Sequence, residues 1–150
     1  MDKKPIVAVS GGFDPVHIGH VRMFKEAAEH GEVVIILNND NWIKTFKREK
    51  PFMPQEERVE ILEALEHVSK VIVSHHEEGT EDISVSKDLR ALAPDIFANG
   101  GDRKTDDVPI PGSEHEVCED LGIKMLFNIG VGGKVQSSSD LIKNKNLNTK

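Results

Sequence analysis

Residues 10–20 read "SGGFDPVHIGH" and follow directly on the apolar run "PIVAVS" of residues 5–10. A short, β-branched apolar run reads as a buried strand. The segment after it is patterned as a helix, so two glycines, a proline and two histidines occupy a strand-to-helix join. Glycine permits positive φ and close backbone approach, so Gly11 and Gly12 are expected to turn main-chain N–H groups toward a ligand. Gly19 lets the helix start close to the same ligand. A helix N-terminus carries partial positive charge and unpaired donors, which suits phosphate. His17 and His20 lie three apart and share a face if the turn is helical. Imidazoles can donate to phosphoryl oxygens. A lone histidine would read as a partly buried side chain bonded to backbone, but two in a glycine-rich turn predict a nucleotide-phosphate cradle. Zinc is disfavoured, because the spacing is tighter than an i, i+4 pair and no cysteine stands close in sequence.

Working outward, "GHVRMFKEAAEHG" (19–31) places Val21, Phe24, Ala27 and Ala28 at helical spacing, with Gly31 as a stop. "EVVIILN" (32–38) is a second strand. "NNDNWIKTFKREKPFMPQ" (38–55) is polar, basic and broken by prolines, which predicts a short helical turn and then a loop. "PQEERVEILEALEHV" (54–68) opens with proline and acids and reads as a helix. "KVIVS" (70–74) is a third strand, "DISVSKDLRALAP" (82–94) a helix, and "DIFANGG" (95–101) a fourth strand. "SEHEVCEDLG" (113–122) is a helix capped by serine and stopped by glycine. "IKMLFNI" (123–129) is a fifth strand, followed by the loop "GVGGKVQSSS" and the start of a last helix, "SDLIKN". Residues 143–150 read as a frayed tail.

Strands apolar on both faces and alternating with helices imply a parallel sheet covered on each side. The expectation is an α/β, Rossmann-like open five-stranded sheet, order 3-2-1-4-5, with helices on both faces. At 150 residues it is expected to be a single domain. Ligands in such sheets bind outside the carboxyl ends of the strands, where strand order reverses. Net charge is −7, which argues against wrapping nucleic acid. A small polyanion can still be held where the few cations converge. Cys118 is the single cysteine, which fits a reducing, cytoplasmic compartment and excludes an intrachain disulfide. No apolar run is long enough for a membrane span, and no signal-peptide layout is present.

The loops after strands two, four and five carry the remaining candidates. The second concentrates Lys44, Lys47, Arg48, Lys50 and Arg58 in an acidic chain. Such a run is usually a solvated basic loop, but these cations follow a strand whose carboxyl end adjoins the histidine turn. Trp42 reads as a packing anchor. The fourth strand ends in "FANGGDR", where Gly100 and Gly101 expose backbone groups that can read a base edge, with Asp102 and Arg103 beside them. After strand five, Ser137, Ser138 and Ser139 open a helix and offer a second anion site. His75 and His76 lie among acids and read as surface residues. His30, His67 and His115 have no partner set. Cys118 reads as a small buried apolar residue.

The dinucleotide fingerprint G-x-G-x-x-G and the P-loop are both absent. "GGFDPVHIGH" instead resembles the G-x-F-D-x-x-H-x-G-H signature of the cytidylyltransferase-like nucleotidyltransferases. The order of "N-x-D" (38–40), Lys44, an "x-P" step and "ER" (57–58) is similar to that of glycerol-phosphate cytidylyltransferases and the ADP-heptose synthase nucleotidyltransferase domain. The resemblance implies that His17 and His20 hold a triphosphate and stabilise the transition state at its α-phosphorus. Lys44 would bridge nucleotide and acceptor phosphates. Gly11, Gly12, Phe13, Asp14, Gly19, Gly100, Gly101, Asp102 and Ser137–Ser139 would line the nucleotide. Arg58, Arg103, Lys47 and Lys134 would reach substrate phosphate, with Arg58 otherwise ordering its loop. Lys134 stands where glycerol-phosphate enzymes carry an arginine-threonine-glutamate run, which leaves the acceptor open.

The implied reaction is transfer of a nucleoside monophosphate from a nucleoside triphosphate to a small phosphorylated polyol or sugar, releasing pyrophosphate. Magnesium would arrive with the triphosphate, and no protein ligand is assigned to it. Cytidylyl transfer is favoured, with adenylyl transfer or a non-catalytic nucleotide-binding module as alternatives. Nucleic acid and membrane are not expected as partners, and a homodimer is left open.

Overall fold

A computed structural model of the chain describes residues 4–100 and 112–129. Strand β1 (Ile6–Gly11) leads into helix α1 (Ile18–Ala27), then β2 (Glu32–Leu37), α2 (Asp40–Phe46) and α3 (Gln55–Glu63). The chain continues through β3 (Lys70–Val73), α4 (Ser86–Leu92), β4 (Ile96–Gly100), α5 (Gly112–Leu121) and β5 (Lys124–Ile129). All neighbouring strands pair in parallel, in the order β3-β2-β1-β4-β5. The predicted sheet and its order therefore hold. The expected glycine-rich loop, last helix and tail, residues 130–150, lie outside the described residues.

Alternation along each strand sends consecutive side chains to opposite faces. Val7 and Val9 of β1, with Ile35 and Leu37 of β2, pack beneath Phe24 and Ala27 of α1 and Leu62 of α3. Ala8, Ile36 and Phe97 face the other way, onto Leu89 of α4 and Val117 and Cys118 of α5. Both faces are thus covered, and the described loops of interest gather on the carboxyl rim.

Four helix bounds differ from the sequence reading. α1 ends at Ala27, short of the expected stop at Gly31. α3 stops at Glu63; Leu65 and Val68 leave the helix and still pack on the core, while the chain turns to enter β3. α4 begins only at Ser86, because the Asp82 carboxylate accepts from the Ser84 N–H at 3.0 Å and the Ser84 hydroxyl at 2.6 Å. Such local bonds compete with helix formation. α5 already includes Gly112, so Ser113 lies within the helix rather than capping it.

Cys118 is buried in the α4–α5 layer. Burial, and secondarily the nearby Glu114 carboxylate, push its thiol up from 9.0 to about 11. The folded state thus favours the neutral thiol. Stability from this group is intact below pH 9.0 and is lost as pH rises toward about 11. Alkylation of the native protein at pH 8 is expected to run roughly a hundredfold slower than in urea, since thiolate is the reactive form. Equal rates in both states, measured by mass spectrometry, would contradict this burial.

Candidate active site

The turn between β1 and α1 is built by close contacts. A Cβ on Gly11 would lie 2.9 Å from the tip of the Phe13 ring, and one on Gly12 would lie 3.0 Å from Ile43 Cδ1. Gly11 leaves room for the ring, and at Gly12 a larger residue would have to push the Ile43 side chain aside. The positive φ expected of these glycines falls instead on Phe13, at 47°. This conformation folds the Phe13 ring into the core, edge-on to His20 with centroids 4.8 Å apart and to Phe24 at 5.3 Å.

His17 is the N-cap of α1, an unusual residue in that place. Its Nδ1 accepts from the Gly19 N–H at 3.1 Å, and the His17 N–H donates to His20 Nδ1 at 3.2 Å. The two imidazoles together form a reciprocal capping box. Their rings stack with centroids 3.8 Å apart and planes 23° from parallel. With Nδ1 occupied as an acceptor, each neutral ring carries its proton on Nε2. The H-x-G-H spacing therefore fixes two donors of known tautomer at a helix N-terminus.

The neighbouring loop is tied to this turn by two ionic residues. Asp14 is 2% exposed, and its carboxylate accepts from Arg48 Nη1 at 2.6 Å and from the N–H groups of Phe52 and Met53 at 2.8 and 2.6 Å. Arg58 is fully buried. Its Nη1 donates to the carbonyls of Gly12 and Asn38, both at 2.7 Å, its Nη2 to Asp40 Oδ1 at 2.7 Å, and its Nε to the Met53 carbonyl at 3.0 Å. Of the two roles open to Arg58, the geometry places it as the brace of the loop, with its donors turned to protein acceptors. Asp14, expected beside the nucleotide, likewise has its oxygens on protein donors.

Lys44 stands exposed in the last turn of α2, next to Ile43, which meets Gly12. Lys47 sits over the Trp42 ring at 5.6 Å. Trp42 is buried and donates from Nε1 to the Ile83 carbonyl at 2.9 Å, so it packs as expected. The loops after β1 and β2 are thus brought together with both histidines and Lys44 on the same rim. Gly100 ends β4 on that rim. Gly101, Asp102, Arg103, Lys134 and Ser137–Ser139 lie outside the described residues.

Sequence reading missed a second network. Asn39 Oδ1 caps α2 by accepting from the Trp42 N–H at 2.9 Å, while its amide donates to the carbonyls of Ser74 and His76 at 3.1 and 2.8 Å. His76 spans Ser74 Oγ and the Ser84 carbonyl, each at 2.7 Å. His75 is exposed, as expected, yet its Nδ1 bonds to the buried Asp88. The signal available was the Asn-Asn pair before a helix; nothing local marked its partners.

An open parallel sheet with a histidine-bearing turn at its carboxyl rim is the architecture of a nucleotide-binding α/β protein. The cytidylyltransferase-like family model matches residues 8–122, and the chain belongs to that family of nucleotidyltransferases. It is 35% identical over 135 residues to an FAD synthase of Pyrococcus horikoshii, covering 89% of this chain and 80% of that one. It is 34% identical to the bifunctional protein HldE of Aliarcobacter butzleri, across 98% of this chain but only 28% of the larger protein. Among solved structures, a lipopolysaccharide core biosynthesis protein of Thermoplasma volcanium superposes with a TM-score of 0.64 at 25% identity, over 83% of this chain and 94% of that one. Among the described residues no helix is long and apolar enough to cross a membrane.

The brace has a measurable weight. Arg58→Ala would leave the Asp40 carboxylate and three carbonyls without a donor, at a cost of about 3 kcal/mol or more in urea unfolding. Arg58→Lys should recover little, because one ammonium cannot reproduce the planar fork. A loss below about 1 kcal/mol for the alanine variant would show that the loop holds without the brace.

Proposed function

We propose that this chain transfers a nucleoside monophosphate from a nucleoside triphosphate to the phosphate of a small acceptor, releasing pyrophosphate. The single observation that carries the reading is the stacked, backbone-capped pair His17 and His20 at the start of α1. Two Nε2–H donors of fixed direction suit non-bridging oxygens of a triphosphate. An acceptor phosphate oxygen attacks the α-phosphorus, a new P–O bond forms, and the bond to pyrophosphate breaks with its electron pair leaving on that group. The acceptor is already ionised, so the protein has no proton to remove.

What the chain supplies is positioning and charge. Lys44 draws the two anions together, and the N-terminus of α1 adds its partial charge. The backbone caps hold both rings in place, so little movement of these donors is required as charge shifts to the leaving group. Magnesium fits this site as the counter-ion of the triphosphate: Asp14 and Asp40 are engaged by Arg48 and Arg58, and no group of three or more acidic, histidine or cysteine side chains among the described residues is placed to hold a metal. When bound, it would offset polyphosphate charge.

The donor base is open between cytosine and adenine on the motifs alone, which favoured CTP. The FAD synthase relatives, at 35–38% identity, make a product with an adenine nucleotide half. That resemblance moves the proposal to ATP as donor, with CTP the second reading. A phosphorylated polyol or sugar remains the proposed acceptor class.

Pyrophosphate release tests this directly, crossing ATP and CTP with phosphorylated acceptors in the presence of magnesium. His17→Ala, His20→Ala and Lys44→Ala are each expected to lose about 3 kcal/mol of transition-state stabilisation, roughly a hundredfold in turnover, with folding retained. Near-normal rates in these variants would remove the assigned roles, and no pyrophosphate with any pair would remove the reaction.

A further inference from the structure

We propose that the cleft behind β3, where His75 is backed by Asp88, holds the hydroxyl-bearing end of the acceptor, distal to its phosphate. This inference rests on the nucleotidyl-transfer reading above. The loop of residues 75–84 and the start of α4 enclose a cleft of about 430 Å³. That volume suits a small polar molecule.

The pairing inside it is asymmetric. Asp88 is 5% exposed, and one of its oxygens accepts from the His75 N–H at 3.2 Å while the other meets His75 Nδ1. The His75 side chain is 83% exposed. A buried carboxylate spent on a solvent-facing ring contributes orientation: it holds the proton on Nδ1 and leaves Nε2 as an outward acceptor in the neutral ring. His76, by contrast, is a strut between Ser74 and Ser84, and its carbonyl accepts from Asn39 and Asn41 at the start of α2. The cleft is therefore fastened to the same helix that carries Lys44.

Charge decides what end of the acceptor fits. Glu77, Glu78, Glu81, Asp82 and Asp88 line the cleft against Lys87 as its one lysine or arginine. That balance repels phosphate. Among the described residues no group of three or more acidic, histidine or cysteine side chains is placed to hold a metal ion, and no phenylalanine or tryptophan lines the cleft to face an ammonium group. Hydroxyl groups, which can donate to His75 Nε2 and to carboxylates, suit it best. Reach agrees with this. Only β2 separates β3 from β1, so the strand ends from which the two loops leave lie about 10 Å apart, the scale of a sugar phosphate.

The test uses the full chain with glycerol 3-phosphate, mannose 1-phosphate and phosphocholine as acceptors. The polyol and sugar phosphates should be preferred over phosphocholine. His75→Ala and Asp88→Asn should each raise the acceptor KM by about tenfold, while the KM for the triphosphate stays within about twofold. Unchanged acceptor KM in both variants, a parallel rise in the triphosphate KM, or preference for phosphocholine would overturn the proposal. If none of the three acceptors turns over, mannose 1-phosphate is titrated into ¹⁵N-labelled protein saturated with a non-hydrolysable triphosphate. Amide shifts at residues 75–88 that vanish in His75→Ala sustain the cleft while the reaction itself fails, and no shifts there sink the cleft.

Discussion

Everything at the carboxyl rim depends on how Asp14 and Arg58 are buried. A carboxylate and a guanidinium taken out of water are costly unless each finds a full set of partners. Here each does: the Asp14 oxygens meet Arg48 and two backbone N–H groups, and Arg58 meets three carbonyls and Asp40. Those partners come from the first loop and from the segment between β2 and α3, while Arg58 itself stands on α3. Satisfying the charges therefore forces three separate pieces of chain into one arrangement. The histidine turn inherits its position from that constraint, and Ile43 against Gly12 closes the remaining gap.

The division between bracing and facing residues follows. A chain of net charge −7 has to set its cations out with care. Arg48 and Arg58 are turned inward onto protein acceptors, while Lys44 stays exposed on α2. Arginine suits the first task because its planar fork serves several fixed acceptors at once. Lysine suits the second, as a mobile point charge.

Legibility in the sequence followed the range of the interactions. β1, β2 and the alternating helices were readable because β-branched runs such as "EVVIIL" and the spacing of Val21, Phe24 and Ala27 are local signals, and the parallel sheet follows from their alternation. The histidine turn was legible as a motif, yet its conformation was not: positive φ sits on Phe13, since a ring packed against His20 and Phe24 outweighs the usual preference for glycine there. The role of Arg58 was left divided because its partners lie five to forty-six residues away. Asp88 went unnoticed for the same reason, its partner His75 being thirteen residues distant across a loop. Short-range pattern reveals elements and motifs, whereas long-range polar partnerships need the fold.

The imidazole caps of α1 carry a consequence for how the rim divides its work. A ring that took up a second proton would need it on Nδ1, and would then surrender the backbone donor it now receives from Gly19 or His17. A proton on Nδ1 and the side-chain cap are mutually exclusive, although the backbone bonds from His20 and Val21 to the His17 carbonyl would still close the turn. In the proposed reaction the pair would therefore aim rather than attract, with attraction left to Lys44 and to the start of α1. Direction and charge, which one arginine could have supplied together, would then be divided between neighbouring helices.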